Sequence, residues 1–311
     1  MYYWNMKILV FGANGLVGSS TVKVLKEKNK YSEIFGSTRE DTNLFNFDET
    51  FKTISDLKPD IIVNAAARVG GILANNTNRF EFIVENLKIN LNILETLKSF
   101  NDIKLINLGS SCIYPLEATN PIKEEYIMTG RLEPTNSPYA MAKLTAIEIG
   151  DALEKQYNNE IINLMPTNLY GPNDNFSEKD SHVIPGLMKR MHNSKLLNEK
   201  EFQIWGTGNP KREFLYADDL GEAIDFVIDN DIKLKLLNIG SNEEVTIKEL
   251  SEIIKSTIGY KGLLTFDNSK PDGNPRKLLD SSKLFDLGWK PKTQLKEGIE
   301  KTYAWFNKNI A

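Results

Sequence analysis

Three glycines set the frame of this chain. Gly12, Gly15 and Gly18 follow an apolar run at residues 7–11 (KILVF) and lead into helix-forming residues at 19–29, with Val22 and Leu25 on one side. A strand that passes straight into a helix through glycines opens a parallel α/β unit. The turn is tight, and bare backbone there lets a pyrophosphate approach the helix N-terminus. The spacing G-x-x-G-x-x-G is one residue wider than the commonest dinucleotide fingerprint. Apolar runs of strand length recur near 33–36, at 60–64 and at 104–108. Between them lie helical patterns at 51–57 and 80–100, the second with apolar residues at 83, 87, 91, 94 and 97. This alternation predicts right-handed crossovers and a doubly wound parallel α/β sheet of Rossmann type.

After Tyr170 the texture changes. Residues 171–181 are polar and turn-rich, and shorter helical and strand signals follow, among them a capping box from Thr246 to Glu249. The expected organisation is a dinucleotide-binding domain over 6–170 and a smaller, mainly substrate-binding α/β domain over 171–311. A strand near 237–239 is the candidate to return to the main sheet. Asp218 and Asp219, ahead of an apolar helical stretch, read as helix caps.

Composition removes whole classes of function. No apolar run approaches the ~18–20 residues of a membrane helix. With 38 Lys+Arg against 42 Asp+Glu over 311 residues, no basic stripe offers itself to nucleic acid. One cysteine makes no internal disulfide and no metal cluster, so no metal is expected. The opening MYYWN precedes the first strand, touches no motif and has no secretory pattern. A cytoplasmic protein acting on small molecules is the expectation.

Two further features point to the chemistry. The stretch after the second strand (FGSTR, 35–39) has no carboxylate to bind a ribose 2′-hydroxyl, but it has Arg39. A guanidinium there suits a 2′-phosphate and hence NADPH/NADP, the alternative being a solvated surface arginine. Tyr139 and Lys143 stand four apart behind Pro138, and so share a face of one helix. An ammonium beside a phenol favours the phenolate and eases proton transfer. Taken alone, Cys112 reads equally as an inert core thiol, and His182 as a structural histidine.

Together the glycines, Ser110, Tyr139 and Lys143 resemble the extended short-chain dehydrogenase/reductases that act on nucleotide sugars. Longer matches narrow this to a resemblance to the GDP-L-fucose synthase family over about residues 6–306. They lie at 66–72 (AARVGGI), 108–115 (LGSSCIYP), 132–136 (LEPTN), 165–172 (MPTNLYGP), 181–185 (SHVIP), 205–208 (WGTG), 212–215 (REFL) and 270–273 (KPDG). The resemblance implies 3,5-epimerisation of GDP-4-keto-6-deoxy-D-mannose followed by 4-keto reduction with NADPH. In it Cys112 is the base and His182 the acid. Ser110 and Tyr139 bind the ketone, Tyr139 donates the final proton, and Lys143 holds the nicotinamide ribose.

It also implies that Gly12, Asn14, Gly15, Leu16, Val17, Gly18, Arg39, Leu108, Gly109, Lys143, Pro166, Thr167, Asn168, Leu169 and His182 contact the cofactor. Arg190, Trp205, Arg212 and Asp272 fall to the substrate. A homodimer through the helices at 80–100 and around Tyr139 follows as well. His192 lies outside the matched segments and is expected on the surface. Alternatives are another nucleotide-sugar epimerase or reductase of this group, or a non-catalytic NADP-binding scaffold. Cys112 and His182 speak against a plain 4-epimerase or reductase, and the Ser110, Tyr139 and Lys143 set against a scaffold.

Overall fold

The computed structural model describes residues 6–178, 180–270 and 272–311; the opening MYYWN segment and Pro271 of the KPDG motif lie outside them. Strands and helices alternate as the periodicities require. The order begins β1 (Lys7–Phe11), α1 (Leu16–Lys28), β2 (Glu33–Ser37), α2 (Phe47–Leu57), β3 (Ile61–Asn64), α3 (Ile72–Thr77), α4 (Arg79–Leu97) and β4 (Lys104–Leu108). It continues with α5 (Ser137–Tyr157), β5 (Ile161–Pro166), β6 (Asn168–Tyr170), α6 (Val183–Leu196), β7 (Glu201–Trp205), β8 (Lys211–Tyr216) and α7 (Ala217–Asp229). Last come β9 (Leu236–Ile239), β10 (Glu244–Thr246), α8 (Ile247–Ile258), β11 (Leu263–Asp267), β12 (Arg276–Lys277), α9 (Ser282–Asp286) and α10 (Leu295–Asn309).

The central sheet has six parallel strands in the order β2-β1-β3-β4-β5-β9. Both faces are covered, which is why its strands read as continuous apolar runs rather than alternating ones. Helices α1 and α7 pack on one face, where Val10, Leu25, Val63, Leu220 and Ile224 share a core. Helices α2, α4 and α5 cover the other, over Leu9, Phe11, Ile62 and Leu105. The order reverses between β1 and β3, and sheets of this kind take ligands outside the strand C-termini at that point.

A polar ladder crosses this apolar sheet. Asn64, Asn107 and Asn163 lie in register on β3, β4 and β5. Asn64 Nδ2 donates to Asn107 Oδ1 at 3.0 Å, and Asn107 Nδ2 to Asn163 Oδ1 at 3.1 Å. Asn163 Nδ2 donates on to the Lys235 carbonyl at 3.3 Å, and Asn64 Nδ2 also reaches Asn90 Oδ1 at 3.1 Å. Buried amides in a continuous chain satisfy one another and fix strand register at the edge of the ligand crevice.

Residues after 170 build a second core from α6, α8, α10, β7 and β8, with Met188, Phe202, Ile204, Ile254 and Phe306 at its centre. They also send α7 and β9 back to the central sheet. The capping box is present, with Thr246 and Glu249 bonded reciprocally. Asp218 and Asp219 do not cap: Tyr216 is the N-cap of α7, and both aspartates lie in its first turn. Asp218 pairs with Lys23, and Asp219 accepts the backbone N–H of Lys292 and Thr293. Their acids answer the positive helix end while being used by distant segments. His192 is buried, not exposed: its Nδ1 lies 3.0 Å from the Tyr303 hydroxyl, and its ring packs on Phe306.

Candidate active site

Sterics dictate two of the three glycines at the turn after β1. Gly12 has φ +77°, and a Cβ on Gly18 would stand 2.0 Å from the Gly12 carbonyl oxygen. Gly15 is different. A Cβ there meets nothing closer than 3.5 Å, so its bareness serves no internal packing. It is exposed at the N-cap of α1 beside exposed Asn14, with Leu16 and Val17 half-buried behind. This is the surface a pyrophosphate needs. The Ser37 carbonyl accepts N–H bonds from Gly12 and Ala13, at 2.9 and 3.1 Å, and so pins the loop to the end of β2. Two residues on, the exposed Arg39 guanidinium lies over the Phe45 ring, 4.9 Å from its centre. Asp41, two residues beyond it, is spent on the Thr38 N–H and hydroxyl, both at 2.8 Å.

At the end of β4, Ser110 begins a single 3-10 turn over Ser111–Ile113, and its Oγ accepts the Cys112 N–H at 3.2 Å. Pro138 in the first turn of α5 sets Tyr139 and Lys143 facing that turn. Burial pushes the Tyr139 phenol above its usual value, as does the nearby Cys112 thiol, while a hydrogen bond with Ser110 opposes both. Lys143 is only 2 % exposed, and burial pulls it down to about 8. Its Nζ donates to the Leu108 carbonyl at 2.7 Å and lies 5.9 Å from the Tyr139 ring centre. The expected tuning of the phenol by Lys143 is therefore absent in this geometry. The ammonium is turned to the backbone, and Tyr139 stays a proton-bearing phenol, fit to donate.

The lone cysteine is half-buried and well supplied with donors. Asn136 Nδ2 donates to Cys112 Sγ at 3.3 Å, and Lys277 Nζ approaches the same sulfur at 3.7 Å. Both the amide and the ammonium can donate to the sulfur. The sequence by itself points to neither partner. Asn136 closes the LEPTN segment with no chemistry of its own, and Lys277 is 165 residues from Cys112 in the chain.

The second half supplies a cationic and aromatic rim. Arg190 lies over the Phe202 and Trp205 rings, at 5.1 and 5.7 Å, and Lys270 also faces Trp205, at 5.9 Å. Desolvation opposes the charge of Arg190 and of Arg212, and a bound anion would relieve it. Asp272 is committed to its own chain: Oδ1 accepts the Thr207 N–H at 2.7 Å and Oδ2 the Thr207 hydroxyl at 2.8 Å. It thus clamps the turn after Trp205. Register pairs Lys277 with Arg212 across β12 and β8, joining this rim to Cys112.

Behind the rim, Glu213 ties the loops together. Its carboxylate accepts the Asn242 N–H at 2.8 Å and the Leu279 N–H at 3.1 Å. Its carbonyl takes the side chains of Thr167 and Asn168, next to Pro166 and Leu169 at the end of β5. Gly109 is likewise buried, bonded to the Leu164 carbonyl at 2.8 Å. His182 is the N-cap of α6, and its loop reaches the first half through Gly71 N–H to the Asp180 carbonyl at 3.0 Å. Gly70 stands against Phe82, whose ring meets Tyr139 edge-on at 6.4 Å. Tyr139 connects Ser110 and Cys112 to Lys143, which reaches back to Leu108. Arg190, Trp205, Arg212 and Asp272 form the opposing rim.

Residues 8–240 match the NAD dependent epimerase/dehydratase family. The chain belongs to that family. Within it, GDP-L-fucose synthase 1 of Arabidopsis thaliana is 46 % identical over 304 residues, covering 98 % of this chain and 94 % of the relative. GDP-L-fucose synthase of Escherichia coli strain K12 is 40 % identical over 312 residues, covering 97 % of each. Among solved structures, a GDP-L-fucose synthetase from Naegleria fowleri bound to NADP superposes with a TM-score of 0.90 at 28 % identity, covering 98 % of this chain and 94 % of that one. Read as a member of the epimerase/dehydratase family, this chain has the residues to fit a dinucleotide. The bare Gly15, the exposed Arg39 and the buried Lys143 ammonium are groups suited to its phosphates and ribose.

Proposed function

We propose that this chain converts GDP-4-keto-6-deoxy-D-mannose to GDP-L-fucose, by epimerisation at carbons 3 and 5 and reduction at carbon 4. It is an NADP-dependent nucleotide-sugar epimerase/reductase, in keeping with its relatives. The observation that carries the finer reading is Cys112, placed between Asn136, Lys277 and the Ser110–Tyr139 pair. A plain 4-ketoreductase has no use for a thiolate beside its ketone.

The residues divide the work as follows. The 4-ketone acidifies the hydrogens on both adjacent carbons, and the Cys112 thiolate removes one. The enolate oxygen is held by the Ser110 and Tyr139 hydroxyls. His182 returns a proton to the opposite face, which inverts the carbon. When bound, NADPH supplies the hydride that reduces carbon 4. Tyr139, whose burial keeps it protonated, gives its proton to the alkoxide oxygen. Lys143, Gly12, Gly15 and Arg39 hold the cofactor, and Arg190, Arg212 and Trp205 the nucleotide diphosphate end. Asp272 contributes by holding the Trp205 turn.

The reading extends to two divided halves, 6–170 and 171–311, to a cytoplasmic location and to a homodimer. Phe80 on α4 and Met141 on α5 are exposed side by side with Arg79, Ile83 and Pro138, an apolar face suited to a second copy. No helix among the described residues is long and apolar enough to cross a membrane.

The test mixes the protein, NADPH and the keto sugar, follows NADPH absorbance and identifies the product by NMR. GDP-L-fucose is expected. Reduction without inversion would refute the roles of Cys112 and His182. Cys112→Ser is expected to stop solvent-deuterium incorporation while leaving NADPH affinity intact.

A further inference from the structure

We propose that Asp174 is the positioning residue of His182: its carboxylate holds the imidazole through Nδ1–H and leaves Nε2 to face the substrate. The inference rests on the reading of His182 as an acid and adds the group that makes it one. Asp174 stands in the polar loop between β6 and α6, where the sequence offers only turn signals.

Its side chain is 4 % exposed, and its Oδ1 lies 3.8 Å from His182 Nδ1. Among the described residues, Asp174 Oδ2 and His182 Nδ1 are both buried and without a hydrogen-bond partner. Orphaned buried polar atoms are costly and uncommon. The carboxylate gives Nδ1 its partner if the imidazole moves by ~1 Å to the usual bond length. Catalytic hydrogen bonds are often long in the free enzyme and tighten around the substrate.

The ring is 40 % exposed although its Nδ1 is buried, so the accessible edge carries Nε2. The loop is anchored at both ends of Asp174. Asn173 Nδ2 donates to Ser19 Oγ on α1 at 3.1 Å, and Phe176 packs on Phe306 at 5.0 Å between centres. The Asn175 N–H, at 2.7 Å from Oδ1, fixes the carboxylate plane.

The consequence is a defined proton path. With Nδ1–H directed at Asp174, only Nε2 can take a proton from solvent, and the imidazolium faces a carboxylate. As the new C–H bond forms, the Nε2–H bond breaks and the ring returns to neutral with Nδ1–H kept.

The full chain labelled with 15N-histidine decides this, because it has only His182 and His192. Long-range 1H–15N correlation reports the tautomer, and loss of one set in His182→Gln assigns it. The neutral His182 ring is expected with its proton on Nδ1. Finding it on Nε2, the form favoured in water, would overturn the proposal without any variant of Asp174. In Asp174→Ala the proton is expected to move to Nε2. Solvent-deuterium incorporation into the sugar should fall about ten- to a hundredfold, with NADPH affinity unchanged. Undiminished exchange in Asp174→Ala would also count against it. If instead His182→Gln still gives the inverted product while the wild-type ring carries Nδ1–H, the pair stands and the acid role of His182 falls.

Discussion

Lys277 Nζ stands 3.7 Å from Cys112 Sγ, the one cation in contact with the one thiol among the described residues. It arrives on β12 paired with Arg212, so the same short strand joins the cationic rim to the thiol. Removing the ammonium should take away a donor that faces the proposed base. In Lys277→Met, solvent-deuterium incorporation into the keto sugar is expected to slow about tenfold, which corresponds to roughly 1.4 kcal/mol of lost interaction at the sulfur. An unchanged rate would show that the sulfur gains nothing from the lysine.

Arg39 is held over Phe45 with its guanidinium exposed at the end of β2. A forked, charge-assisted bond to a 2′-phosphate contributes about 1.5–3 kcal/mol. Arg39→Ala should therefore weaken NADPH by roughly ten- to a hundredfold and NADH hardly at all, as read by fluorescence titration. Equal losses for both would refute the 2′-phosphate role.

Lys143 carries a pH signature. Its folded value, about 8, lies below the ordinary 10.5, so the folded protein holds fewer protons than the unfolded chain between the two. Stability attributable to this group then rises with pH across that window and is lowest below about pH 8. Relative to Lys143→Met, the wild type should gain about 3 kcal/mol between pH 8 and 10.5, as read from urea titrations across that range. A constant difference would mean that the ammonium is not desolvated.

The amide ladder predicts a stability loss of its own. Asn107→Ala takes away the acceptor of Asn64 and the donor to Asn163 in one step. A cost of about 1–3 kcal/mol is expected, from buried amide groups left unpaired. Thermal or urea unfolding measures it, and a neutral result would show that water replaces the amide.

The homodimer is tested by light scattering on the purified chain. Phe80→Asp places a charge on the exposed apolar face of α4 and should shift mass from dimer to monomer. A monomeric wild type would remove the face from consideration.

Local features were legible because they are written in short stretches of chain. The glycine turn, the capping box at Thr246, Pro138 ahead of Tyr139 and the long helix α4 each depend on residues within a turn or two of one another. Misreadings arose where a distant segment intervened. Asp218 and Asp219 have the composition of caps, yet are claimed by Lys23 and the 292–293 backbone. His192 has the look of a surface histidine, yet closes a cluster with Tyr303 and Phe306 from α10. Asn64, Asn107 and Asn163 end apolar runs and show no link until the strands stand side by side.

The sequence alone determined the phosphate turn, the parallel α/β plan and the identity of the groups that could do chemistry, because backbone conformation and hydrophobic period are local properties. Only the tertiary structure decided how those groups are set. It turned Lys143 to the Leu108 carbonyl rather than to the phenol, committed Asp272 to Thr207, and brought Lys277 to Cys112 and Asp174 to His182. Those settings depend on burial and on charges that meet through space, and neither follows from distance along the chain.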